Sequence, residues 1–155
     1  MLLLAVPSNR SAAAIDTCAN PVFTPVLASL RSRTRVPLRL PLVVGDSYDV
    51  ALYAEVSSTS STRYLVRIGQ NCERGYCPYG TVSGTKITRR TGRPRGNVVE
   101  LANGVTGRLT DGSKTLKNSV ITWDQGQYRY EIAIYAAEPA AMIKVANSAL
   151  SCDNQ

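Results

Sequence analysis

Arg89-Arg90-Thr91-Gly92-Arg93-Pro94-Arg95-Gly96 is the densest run of chemistry-bearing side chains in this sequence. Arg89, Arg90, Arg93 and Arg95 present planar guanidinium forks that match oxyanions, so the chemistry they offer is anion binding, with phosphate, an anionic glycan or a lipid headgroup as partner. The bland reading of the same residues is an exposed basic hairpin loop between strands, and Arg31, Arg33, Arg35 and Arg39 carry the same pair of readings. General acid–base chemistry has a narrower base. The chain contains no histidine, which excludes a histidine triad and a histidine-containing zinc site. The carboxylate candidates Asp49, Glu55, Asp124 and Glu131 fall on predicted wet faces or turns. The serines lie in loops without a nucleophile-elbow pattern, and Ser148 lies on a predicted helix. No catalytic residue, cofactor or metal ligand is assigned, and the chain is read as non-enzymatic.

Cysteine chemistry points to a compartment. Cys18, Cys72, Cys77 and Cys152 allow three pairings. Cys72 and Cys77 enclose a short glycine-containing loop and Cys18 and Cys152 flank the domain, so the expected disulfides are Cys72–Cys77 and Cys18–Cys152. A bridge closing a loop of more than 100 residues stabilises by roughly 4–5 kcal/mol in the chain-entropy account. A four-cysteine zinc site lacks any Cys-x-x-Cys knuckle. Paired cysteines imply a secreted chain, periplasmic or extracellular. Residues 1–17 read as an N-terminal tail or the remnant of a signal peptide, with an apolar run at Leu2–Val6 and small residues at Ala12–Ala14. Residues 18–152 make one domain. The net charge of +7, from 18 basic against 11 acidic residues, favours anionic surfaces and also serves solubility.

The elements that position these groups follow from periodicity. Thr24-Pro25 opens a helix to about Arg33, with Phe23, Val26, Leu27 and Leu30 at helical spacing. Val36 to Pro41 has prolines four apart and should run extended over the surface. Tyr48 to Val56 alternates as a first strand, Ser57 to Ser61 reads as a polar loop, and Tyr64, Val66 and Ile68 form the second strand of a hairpin. Thr81 to Thr88 reads as a strand with a bulge at Gly84. Asn103-Gly104 turns between Val98–Ala102 and Val105–Leu109. In the closing segment Trp123 shares a face with Tyr128, Tyr130, Ile132 and Ile134. A Gln125-Gly126 loop there sets Trp123 opposite Tyr128 and Ile121 opposite Tyr130. Glu138-Pro139 starts a last helix, with Met142, Ile143, Val145, Ala146, Ala149 and Leu150 inward and Lys144, Asn147 and Ser148 toward water.

Two likenesses accompany these residues. The Gly92-Arg93-Pro94 core resembles the AT-hook, a minor-groove peptide, but Thr91 stands where an arginine would precede the glycine, so nucleic acid is not the expected partner. The tryptophan-turn-glycine hairpin, tyrosine-rich strand and helix ending in Ala-x-Ser-x-Leu resemble the ending of small exported cyanobacterial and other bacterial proteins of unknown function. A more distant likeness is to C-terminal domains of cell-envelope lipoproteins and sigma-factor regulators. Trp123, Gly126, Tyr130, Ala146, Ser148 and Leu150 carry this likeness, within residues 119–152. It implies an α+β fold and export, and brings no site residue.

The sequence therefore leads to an α+β domain: an antiparallel meander of about six or seven strands with an N-terminal and a C-terminal helix on one face. A closed small barrel is the alternative. The leading function is an exported interaction module that meets an envelope protein or an anionic polymer, with no transmembrane segment. One alternative is an apolar-ligand carrier with Trp123, Tyr128 and Tyr130 lining a pocket. Another is an anion binder using Arg89, Arg90, Arg93 and Arg95.

Overall fold

The computed structural model describes residues 18–45, 51–72 and 75–151. Asn20 caps a single turn at Pro21–Phe23, its side chain accepting from Val22 N at 3.0 Å. Helix α1 (Thr24–Arg33) follows with proline in its first turn, where no intrahelical donor is needed. Seven strands come next: β1 (Leu52–Ser60), β2 (Arg63–Cys72), β3 (Gly75–Lys86), β4 (Asn97–Glu100), β5 (Thr106–Thr110), β6 (Asn118–Gln125) and β7 (Tyr128–Tyr135). Helix α2 (Pro139–Leu150) follows, with Glu138 at the N-cap position and proline at its start. Tyr48, Val50 and the N-terminal segment 1–17 lie outside the described residues.

All pairings are antiparallel, in the order β1-β2-β3-β7-β6-β5-β4. The expected meander therefore breaks once. β4 to β7 form a block that joins the first hairpins through its last strand, so β7 pairs with β3 on one side and β6 on the other. The composition of β7 explains the placement. Ile132, Ala133 and Ile134 are all buried, and a central strand covers such a run where an edge strand would leave it wet.

Strand alternation sorts the sheet into two faces. Tyr64, Val66 and Ile68 of β2, Val82 of β3, Ile121 and Trp123 of β6, and Tyr130, Ile132 and Ile134 of β7 lie on the inner face in mutual register. They share one hydrophobic cluster with Phe23, Val26, Leu27 and Leu30 of α1 and Met142, Val145, Ala146 and Ala149 of α2. Each large side chain so buried contributes about 1.5–3 kcal/mol.

The segment 36–41 departs from its surface reading. Val36, Leu38 and Leu40 are buried in the same cluster. Burying an extended backbone requires partners for its polar groups, and the prolines bring no N–H to satisfy. Val36 N donates to Thr34 Oγ1 at 3.2 Å and Asn20 N to Pro41 O at 3.0 Å, and two buried tyrosines reach the middle of the segment: Tyr64 Oη accepts from Arg39 N at 3.1 Å and Tyr130 Oη donates to Pro37 O at 3.0 Å. Burial pushes the Tyr64 phenol up from its ordinary value of 10.0. The folded state thus holds this proton more tightly than the unfolded chain. The stability it confers is complete below that ordinary value and is lost as pH rises toward the folded value. Alkaline titration followed by phenolate absorbance and far-ultraviolet circular dichroism should show Tyr64 ionising together with unfolding. In Tyr64→Phe that coupled step should vanish.

Other local differences have equally plain causes. The closing hairpin pairs Trp123 with Tyr130 and Gln125 with Tyr128 around Gly126-Gln127, two residues out of the expected pairing. Gly126 has φ +60°, as a turn with glycine in its first central position requires. The offset is even, so the shared face of Trp123 and Tyr130 is unchanged. Gly84 is not a bulge, because it pairs regularly with Tyr64 and Tyr130. The β2–β3 irregularity sits at Ile68/Gly69. Ser57 to Ser60 belong to β1, with a bulge between Val56 and Ser58, and the turn shrinks to Ser61-Thr62. Asn147 and Ser148 are half-buried docking groups: Ala102 N donates to Asn147 Oδ1 at 2.7 Å and Val43 N to Ser148 Oγ at 3.1 Å. Periodicity cannot register such a role, since both are polar residues on the flank of the apolar stripe.

Candidate functional site

The outer face of the sheet is made of the residues alternate to the core set. Arg63, Arg67, Arg108 and Arg129 share it with Glu55, Glu100, Asp124 and Glu131, so strand charges cancel there. Thr81, Ser83, Thr85, Thr110 and Thr122 fill much of the rest. Arg67 pairs with Glu55 at 2.8 Å. Arg129 is gripped by both Asp124 oxygens, at 2.7 and 2.9 Å, and these bonds hold its guanidinium above the usual arginine range.

Residues 87–96 connect β3, in the middle of the sheet, to β4 at its edge. The chain must cross β7, β6 and β5, four inter-strand steps of about 4.8 Å each, which ten residues reaching roughly 33 Å span with length to spare. The basic segment is therefore a strap laid over the outer face rather than the tip of a hairpin. Its start is tied by Ile87 N to Gln127 O at 2.8 Å and by a Thr88–Thr91 turn in which Thr88 N donates to Thr91 Oγ1 at 2.9 Å. Its middle and end are held from below, because Arg129 Nη1 donates to Gly92 O and Arg108 Nη1 to Gly96 O at 3.2 Å. Gly96, at φ +108°, lies so close to β5 that a Cβ there would meet Leu109 O at 2.5 Å.

This geometry divides the arginines into two sets. Arg108 and Arg129 are used by the fold to fasten the strap. Arg89, Arg90, Arg93 and Arg95 are exposed, and among the described residues their guanidinium groups make no ion pair or hydrogen bond. A groove of about 470 Å³ runs beside the strap, bounded by Arg93, Pro94, Arg95, Val120, Thr122 and Glu131. A second of about 450 Å³ lies on the other side of Pro94, bounded by Arg108, Thr122, Asp124 and Gln125. The sequence named the four arginines but missed the strap and the anchors Arg108 and Arg129. Anchoring is set by strand order, which no local pattern contains.

The remaining candidates are placed as follows. Trp123 and Tyr130 stack with ring centroids 5.6 Å apart and 28° between planes, 1% and 2% exposed. Tyr128 is half-buried at the sheet end opposite Gln125 and Lys86. Trp123 Nε1 and Gln125 Oε1 are shut off from solvent and have no hydrogen-bond partner among the described residues. Cys77 pairs with Gln70 in the strand register and Cys72 with Gly75. The Cys72 side chain and all of Cys152 lie outside the described residues, whereas Cys18 is half-buried just ahead of the first turn. Glu55 and Asp124 serve ion pairs, Glu131 is exposed beside Thr122 at 3.4 Å, and Asp49 falls outside the described residues. Among the described residues no helix is long and apolar enough to cross a membrane.

The chain matches no protein-family model, no curated protein and no solved structure.

Proposed function

We propose that this chain is a non-enzymatic exported module of the cell envelope or extracellular space, and that it meets its partner with the outer face of the sheet and the arginine strap across it. One observation carries the reading: two arginines are consumed in fixing the strap, and the four on the strap itself are left exposed and unengaged. A fold that spends Arg108 and Arg129 to display four others presents a contact surface. Both helices cover the inner face in this reading, which leaves the outer one for the partner. The cysteine pairs expected from the sequence, Cys72–Cys77 and Cys18–Cys152, and the likeness of residues 119–152 to exported bacterial domains support the location.

Co-sedimentation with washed envelope fragments of the native host tests the surface. The wild-type chain and a variant altered on the helix side, Arg33→Glu/Lys144→Glu, should sediment alike. Arg93→Glu/Arg95→Glu should stay largely in the supernatant. Equal retention of both variants would remove the strap from the contact. Four reactive thiols in denatured, non-reduced protein from that host would remove export.

A further inference from the structure

We infer that the ligand of this face is a linear anionic polysaccharide, its acidic groups held by Arg89, Arg90, Arg93 and Arg95 and its hydroxyls by the groove beneath. The inference rests on the reading above that the outer face is the contact surface, and adds the chemical class.

Charge alone selects a polyanion. The strand charges of the outer face cancel, so its positive surplus comes from the strap. The lining of the groove then separates the polyanions. Glu131 is exposed in its wall, next to Thr122 and the pair Arg93 and Arg95. A carboxylate accepts hydrogen bonds and donates none at neutral pH. Polyphosphate and a nucleic-acid backbone bring only more acceptors and like charge against it. A sugar unit brings hydroxyl donors to Glu131 and acidic groups to the arginines in one repeat. Single-stranded nucleic acids also need ring faces on which bases stack. The groove wall has none and offers Pro94 and Val120 instead, small saturated surfaces that suit the edge of a pyranose. The groove is open to solvent beside Arg93 and Arg95, where acidic groups of a polymer can reach both.

Affinity electrophoresis and fluorescence anisotropy of the full chain, purified without reductant, provide the test. The probes are polygalacturonate, dextran sulfate, neutral dextran, polyphosphate and single-stranded DNA, compared at equal charge concentration and fixed salt. The acidic polysaccharides should bind about ten-fold more tightly than polyphosphate or DNA, neutral dextran should not bind, and affinity should fall with added salt. Arg93→Glu/Arg95→Glu should weaken polysaccharide binding by about ten-fold or more, while Arg33→Glu/Lys144→Glu, with the same change in net charge, should leave it within about two-fold. Unchanged circular dichroism and melting confirm that both variants fold, since all four positions are exposed. Equal loss in both variants, or tighter binding of polyphosphate or DNA, overturns the inference. If the envelope sediments the wild-type chain but not the strap variant, and no acidic polysaccharide binds, the contact surface stands and the polymer class falls. If the envelope retains the strap variant, both fall.

Discussion

Trp123→Ala should lower the free energy of unfolding by about 3–5 kcal/mol, the range for truncating a buried aromatic side chain. Domains of this size are stable by only about 5–15 kcal/mol, so the variant would be unfolded in a substantial fraction of molecules on mild warming. The indole is 1% exposed, stacks on Tyr130, and belongs to a residue paired with Gly107 in the strand register. Deleting it leaves a cavity between β5, β6 and β7 that the paired strands cannot collapse to fill. Trp123 is the sole tryptophan, so the measurement is a urea titration followed by circular dichroism rather than by fluorescence. Trp123→Phe keeps a ring and removes the unsatisfied Nε1 donor, and should cost distinctly less than alanine. A loss below about 1 kcal/mol for the alanine variant would show that the ring does not hold the inner face together.

Gly84→Ala should cost about 1–3 kcal/mol or more, through overpacking rather than a void. A methyl group at this position would lie 2.5 Å from Tyr64 Cε1, 2.9 Å from its Cζ and 3.0 Å from Val36 Cγ1. The Tyr64 ring cannot swing aside without giving up its hydrogen bond to Arg39 N, and Val36 is locked beneath it. Alanine ordinarily stabilises a strand relative to glycine, so local propensity predicts the opposite sign and makes the test decisive. A thermal midpoint at or above that of the unaltered chain would mean that the Tyr64 ring has free space over β3.

What the sequence makes legible is whatever is periodic. The α2 stripe, the alternation of β7, the Asn103-Gly104 turn and the start of α1 at Thr24-Pro25 all come from spacings within a dozen residues, and each stands in the structure. The Asn103-Gly104 turn has positive φ at both positions, 60° and 71°. Burial of 36–41 was not legible, because a proline-rich extended segment is ordinarily a surface feature. The two hydroxyls that admit it to the core come from Tyr64 and Tyr130, far along the chain. Gly84 misled for the same reason, since a glycine in a strand is read as a local irregularity when its cause is a ring on the neighbouring strand. At the candidate site, four arginines could be named but not their setting. Their attachment follows from the position of β7 between β3 and β6, a non-local choice made by its buried alanine and isoleucines.

That position also sets when the molecule becomes complete. A chain emerging amino end first from a ribosome or a translocation pore has β3 in hand long before β7, which ends at Tyr135. Until then the far border of β3, from Gly80 to Lys86, lacks its neighbour and displays unpaired amides and carbonyls. Premature pairing with another molecule is the hazard of such an interval. The interval ends only when β7 reaches β3, so the sheet cannot close before Tyr135 has emerged, whichever opening the chain leaves.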